Sequence, residues 1–311
     1  MIKNALKILT FTAIATLASC SGEPNKNTVA TGEQVTIVHK LGTTDVPQNP
    51  RRVVVFDMGA LETLTELGIK PVAIPKDIVP DHLIQFKTDD TIENAGSVKE
   101  PNFEKVSAVN PDLIIISARL ETFYDELSKI APTIYLGIDT QDYMTSFEKN
   151  SMEIGKIFNK EAEVKEQLDA LKNEIKTEQE KYVGNDKKGL IVLFNNGKFS
   201  AYGKGSRFGF IHDVLGISAV DDQLEVATHG QPVSSEFIAD ENPDYLFVVD
   251  RAAVVNGQPA ARDNIENALI QKTNAYKNGK IIYLNPQIWY LSGGGITSTH
   301  AMINEIKEAL K

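Results

Sequence analysis

The chain has 311 residues, of which 42% are hydrophobic and 24% charged, and its formal net charge is −10. These are globular values, with length enough for two domains that each bury a core. The acidic balance and the lack of any basic run exclude nucleic acid as a partner, so any anion site has to be a local cluster of cations.

The first residues read MIKNALKILTFTAIATLASC. Lys3 and Lys7 precede an apolar stretch that is too short to span a membrane and has the form of a secretory signal over residues 1–19. Leu17-Ala18-Ser19-Cys20 resembles the bacterial lipobox, which implies cleavage before Cys20 and lipid on its sulfur. Cys20 is the one cysteine in the sequence, so no disulfide is expected in the rest of the chain. Residues 20–34 are polar, without apolar period, and read as a flexible tether. The expected location is therefore a lipid anchor on the cell membrane, facing the periplasm or the extracellular side.

Residues 35–142 are expected to form a first α/β lobe. RRVVVFD is a β-branched run, ALETLTELGI a helical pattern ending at Gly68, and PVAIP a further strand. A short helix, the turn Asn110-Pro111 and the strand LIIIS follow, then a helix and the strand PTIYLG. This alternation predicts mostly parallel sheets with helices on both faces. Residues 143–184 contain no proline and carry apolar positions at helical intervals, which predicts one long bridging helix of about 50 Å. The apolar stripe breaks after Phe158.

Residues 185–311 repeat the grammar of the first lobe. GLIVLF and KFSAYG flank Asn196-Gly197, the signature of a tight hairpin. The motif NPD occurs at 110 and again at 242, each time between a helix and an apolar strand, and Arg119 and Arg251 share that spacing. The architecture predicted is α/β, with two Rossmann-like lobes and a ligand cleft between them.

In open α/β sheets, ligands lie beyond the carboxyl ends of the strands. Arg119, Arg207 and Arg251 all follow strand ends, as do Trp289 and Tyr290 in PQIWYLSGGG. Guanidinium groups gathered at one mouth of an acidic protein point to a bound anion. ATHGQPVSS places the lone His229 in a loop before the second NPD helix. GKGSRFG lacks the spacing of a dinucleotide fingerprint, and SGGG is not a phosphate loop because no Gly-Lys-Ser/Thr follows. Neither Gly-x-Ser-x-Gly, HExxH nor CxxC occurs, so no enzyme activity is expected.

The stretches RRVVVFDMGALETLTELGI, GKGSRFGFIHDVLGI, ATHGQPVS and NPQIWYLSGGG resemble the siderophore-binding lipoproteins of bacterial ABC importers, the class with a helical backbone between lobes. The resemblance runs from about residue 35 to 311 and is nearest to catecholate binders of the enterobactin/petrobactin uptake type. It implies that Arg119, Arg207 and Arg251 contact anionic catecholates, with Trp289 beside them. It also implies that His229 and Tyr290 complete the coordination of Fe(III) when the ligand is tetradentate. Ferric iron favours six ligands with anionic oxygen, and two catecholates leave two positions open. The partners implied are a ferric siderophore as transported ligand, with no permanent cofactor, and the permease of an ABC importer; the protein itself is expected to be a monomer. Haem binding on the same fold is the alternative, with Tyr290 or His229 as axial ligand.

Overall fold

The computed structural model describes residues 32–311. The signal segment 1–19, Cys20 and most of the tether 20–34 lie outside the described residues.

The described chain opens with a hairpin that the sequence reading left unassigned. β1 (Gln34–His39) pairs antiparallel with β2 (Gly42–Pro47). β1 alternates exposed and buried residues, and it buries Val35 and Ile37 in the core, as expected for a strand with one solvated face.

Five parallel strands then form the first sheet, in the order β5-β4-β3-β6-β7. β3 (Val53–Val55), β6 (Leu113–Ile116) and β7 (Thr133–Tyr135) are buried along their whole length, while β4 (Ala73–Ile74) and β5 (Glu93–Asn94) are short. Continuous Val and Ile runs are what a sheet covered on both faces requires. Asp57 caps the helix Met58–Glu66 that follows β3, accepting a hydrogen bond from the Ala60 amide at 2.8 Å.

The second sheet is mixed, with three parallel and two antiparallel pairings, so parallel pairing still predominates. β8 (Lys188–Asn195) and β9 (Lys198–Tyr202) form an antiparallel hairpin, and β11 (Gln231–Val233) continues antiparallel beyond β9. On its other side β8 pairs in parallel with β12 (Tyr245–Asp250), and β12 with β13 (Ile281–Leu284). The short β10 (Ser218–Ala219) pairs in parallel with the start of β8. Asn196 and Gly197 take φ of 50° and 77° at the β8–β9 turn, the left-handed pair that a two-residue hairpin of type I′ needs. The two NPD motifs also do the same job. Asn110 and Asn242 both adopt positive φ, 43° and 46°, and each ends a helix ahead of a proline and a parallel strand.

The bridging segment departs from the single rod expected over 143–184. It is two helices, Tyr143–Ile157 and Glu161–Tyr182. Asn159 stands at φ 54°, the Lys160 amide donates to the Gly155 carbonyl at 2.7 Å, and the Asn159 amide donates to the Lys156 carbonyl. That is a Schellman ending with asparagine in the left-handed position. Lys172 reaches back to Glu148 at 2.7 Å, so the helices lie antiparallel. A side chain at Gly155 would meet Val164 at 3.1 Å, which accounts for the glycine at the crossing.

The Glu161–Tyr182 helix, about 33 Å long at 1.5 Å per residue, packs on its predecessor and on the C-terminal helix Ile296–Ala309. Val164, Leu168, Leu171 and Ile175 lie in one core cluster with Leu61 and Leu64 of the first half and Ile303 and Ile306 of the last helix. The two halves thus share a hydrophobic core through their helices.

A second junction lies at the Gly-rich stretch after Tyr290. A side chain on Gly59 would stand 2.8 Å from the backbone of both Gly294 and Gly295. Buried Glu62 accepts a hydrogen bond from the Ser298 amide at 2.8 Å, at the N-terminus of the last helix, and pairs with His82 at 2.7 Å. SGGG is therefore part of a close-packed contact between the halves.

Candidate functional site

The strand ends deliver the three arginines to one residue. Arg119 lies in the 3-10 turn Ala118–Phe123 just beyond β6 of the first sheet. Arg207 lies in the loop after β9, and Arg251 opens the helix after β12, both in the second sheet. Tyr290 follows β13 on a π-helical turn, Gln287–Ser292, closed by a hydrogen bond from the Gly293 amide to the Ile288 carbonyl at 3.0 Å. Such wide turns displace the backbone from its usual hydrogen bonds and recur at functional sites. Here the Gly295 amide is taken by the Ser298 hydroxyl, and the Tyr290 carbonyl accepts from two guanidinium groups instead. Arg119 donates to it at 2.9 Å and Arg207 at 2.6 Å.

The phenol of the same residue accepts from the Arg251 Nε at 3.0 Å. Arg207 also lies over the Tyr290 ring, 4.1 Å from its centroid. Asn195, at the end of β8, accepts from Arg251 at 3.2 Å and so orients it. Asn195 was not identified from sequence, although the strand-end argument that found the arginines applies to it equally.

Three partly buried cations against one tyrosine carry electrostatic consequences. Burial pulls the Arg207 guanidinium down from its ordinary pKa, and the charge of Arg119 pulls the same way. Burial pushes the Tyr290 phenol up, but the Arg251 hydrogen bond and the charges of Arg207 and Arg251 outweigh it, and the phenol ionises below the usual tyrosine range. Ultraviolet difference titration is expected to show one tyrosine ionising early, and Arg251→Gln is expected to move that step upward. The folded pKa is below the unfolded value of about 10. The phenolate's contribution to stability is thus fully present above about pH 10 and is lost as the pH falls through the folded value. A titration unaltered by Arg251→Gln would show that Arg251 does not set it.

Trp289 is placed differently from the sequence expectation. Its residue is 4% exposed, its indole N–H donates to Glu305 at 2.6 Å, and Phe210 packs edge-on against it at 6.1 Å. It is a core residue that seats the turn bearing Tyr290, and not a surface of the cleft. An amphipathic reading of QIWYLS could not decide this, because a π-helical turn rotates side chains away from the helical period. His229 is exposed in the irregular loop before β11 and makes no hydrogen bond among the described residues. The polar and cationic partners of Tyr290 are Arg119, Arg207 and Arg251, and His229 is not among them. Among the described residues, no three His, Cys, Asp or Glu side chains gather into a group that could hold a bare metal ion. None of the described helices is long and apolar enough to cross a membrane.

A cavity of about 630 Å³ is lined by chain neighbours of Arg119 and His229, though not by the arginines or Tyr290 themselves. Ala118 and Glu121 line it on either side of Arg119 in sequence, and Thr228, next to His229, lines it from the second half.

Comparison with known proteins places the chain in a family. Residues 53–288 match the family model for periplasmic binding proteins, and the chain belongs to that family. These are substrate-binding proteins of transport systems and not enzymes. Within the family, the chain is 45% identical to the petrobactin-binding protein YclQ of Bacillus subtilis, over 97% of this chain and 98% of that one. The crystal structure of YclQ superposes with a TM-score of 0.87, covering 90% of this chain and 99% of the other. The ferric-anguibactin-binding protein FatB of Vibrio anguillarum is 33% identical over 98% of each. The periplasmic catecholate-siderophore binding protein VctP of Vibrio cholerae is 36% identical, with a TM-score of 0.84 over 89% of this chain and the whole of the other.

Proposed function

We propose that the chain captures a ferric catecholate siderophore in the cleft between its lobes and delivers it to the permease of an ABC importer. The observation that carries this reading is the convergence of Arg119, Arg207 and Arg251 on Tyr290 in a chain of net charge −10. A ferric complex of two or three catecholates is an anion, and forked guanidinium donors suit its oxygens. The ligands named for YclQ, FatB and VctP support the same reading.

In this proposal His229 and Tyr290 complete the coordination of iron held by a tetradentate ligand. The lowered phenol pKa of Tyr290 favours the phenolate that Fe(III) requires, and the exposed loop of His229 leaves its imidazole available. The iron is cargo and there is no resident cofactor. The protein works as a monomer, anchored outside the cytoplasm through lipid on Cys20.

Titration with ferric siderophores and haem, read by Trp289 fluorescence and visible absorption, tests the reading. Ferric tetradentate catecholate is expected to bind tightly, and His229→Ala or Tyr290→Phe to weaken it by about tenfold or more. A hexadentate complex, whose iron is already saturated, is expected to lose less. Equal losses for both ligands would remove the coordination role, and a Soret band with no catecholate binding would favour haem.

A further inference from the structure

The cavity lined by Ala118, Glu121 and Thr228 contains polar groups that the fold leaves unused. Lys149 and Glu153 stand one turn apart on the Tyr143–Ile157 helix and both line it, a spacing at which lysine and glutamate ordinarily pair. Here they do not. Neighbouring Glu148 is taken by Lys172, but Lys149 makes no ion pair among the described residues. Glu153 Oε2 is buried and has no hydrogen-bond partner among them. A buried carboxylate oxygen without a donor costs about 1–3 kcal/mol or more, so its position calls for a group to fill it.

The other charged groups of the lining have partners, and Asp139 accepts from the Gln141 amide at 3.0 Å. Lys40 pairs with Glu121 at 2.9 Å. Asn150 donates to the Leu136 and Gly137 carbonyls. The His39 ring is bonded to Thr44 and to the Leu41 amide. Among the charged groups of the lining, this leaves one cationic donor, Lys149, and one carboxylate acceptor, Glu153, facing the same space.

We propose that this cavity is a second subsite of the same ligand site, which holds the linker joining the catechols. Lys149 takes a carboxylate or carbonyl of that linker, and Glu153 takes an N–H. The subsite therefore selects linkers rich in amide and carboxylate groups over plain hydrocarbon ones. This rests on the ferric-catecholate reading above.

The experiment uses two synthetic bis-catecholates of equal length, loaded with Fe(III). One has an alkyl linker, and the other carries two amides and a carboxylate. Affinities are measured by Trp289 fluorescence for the unaltered protein, Lys149→Gln and Glu153→Gln. The unaltered protein is expected to prefer the polar linker by about tenfold, and each variant to bring that preference to within about threefold of parity. No preference in the unaltered protein, or a preference that survives both substitutions, would overturn the subsite. If neither chelate binds at all, the catecholate reading itself fails, and the subsite falls with it.

Discussion

Arg207→Gln is expected to weaken binding of a ferric catecholate by about 10- to 100-fold, and more than the same change at Arg119 or Arg251. A hydrogen bond to a charged group is worth about 1.5–3 kcal/mol, which is that range in affinity. Arg207 ranks first because it touches Tyr290 twice, through the carbonyl at 2.6 Å and across the ring at 4.1 Å. It therefore occupies the middle of the cluster. The ligand-free protein is expected to lose little stability from the same substitution. Burial and the neighbouring Arg119 charge both work against the Arg207 cation in the empty site, and relief of that strain offsets the lost hydrogen bond. Fluorescence titration and thermal melting of one sample separate the two effects. A loss of affinity below threefold, or a fall in Tm that accounts for the lost binding, would show that Arg207 holds the fold instead of the ligand.

Gly59→Val is expected to lower the Tm by about 5 °C or more, the effect of an overpacking cost of about 1–3 kcal/mol or above in a chain of this size. The space a side chain needs is filled by backbone, at 2.8 Å from both Gly294 and Gly295, and backbone cannot turn aside as a side chain can. Gly59→Ala is the sharper test of sign. Inside a helix, alanine gains about 1 kcal/mol over glycine, so a stabilised Gly59→Ala protein would show that the junction yields. The expected result is destabilisation, together with weaker ligand binding, because Gly294 and Gly295 directly follow the turn that presents Tyr290.

The parts of the fold legible in the sequence were those fixed by local chemistry. Buried runs such as LIIIS announced parallel strands, Asn196-Gly197 announced its hairpin, and the paired NPD motifs marked helix ends whose asparagines are left-handed in both halves. The arginines were legible because strand ends have a fixed place in a parallel sheet. Other features depended on tertiary partners. A continuous helix and two antiparallel ones share the same apolar period, and the break at Asn159 showed only as a stripe that lapsed after Phe158. Trp289 looked like a cleft residue because the π-helical turn that buries it has no sequence period of its own. Glu62 passed as one more charged helix residue, since nothing local says that Ser298, far along the chain, places an amide against it. The unused pair Lys149 and Glu153 likewise became visible only once Glu148 was seen to be occupied.

The Tyr290 carbonyl, which holds Arg119 from one sheet and Arg207 from the other, has a thermodynamic consequence for capture. In the proposed role of these arginines, two long side chains that would otherwise sample many rotamers are already parked at the place where negative charge arrives. Their disorder is lost when the chain folds and not when the ligand binds, and each immobilised side chain would otherwise cost about 0.5–1.5 kcal/mol of association free energy. Uptake is then an exchange, in which ligand oxygens replace a peptide oxygen as acceptor. Its enthalpy should be modest and its entropic penalty small.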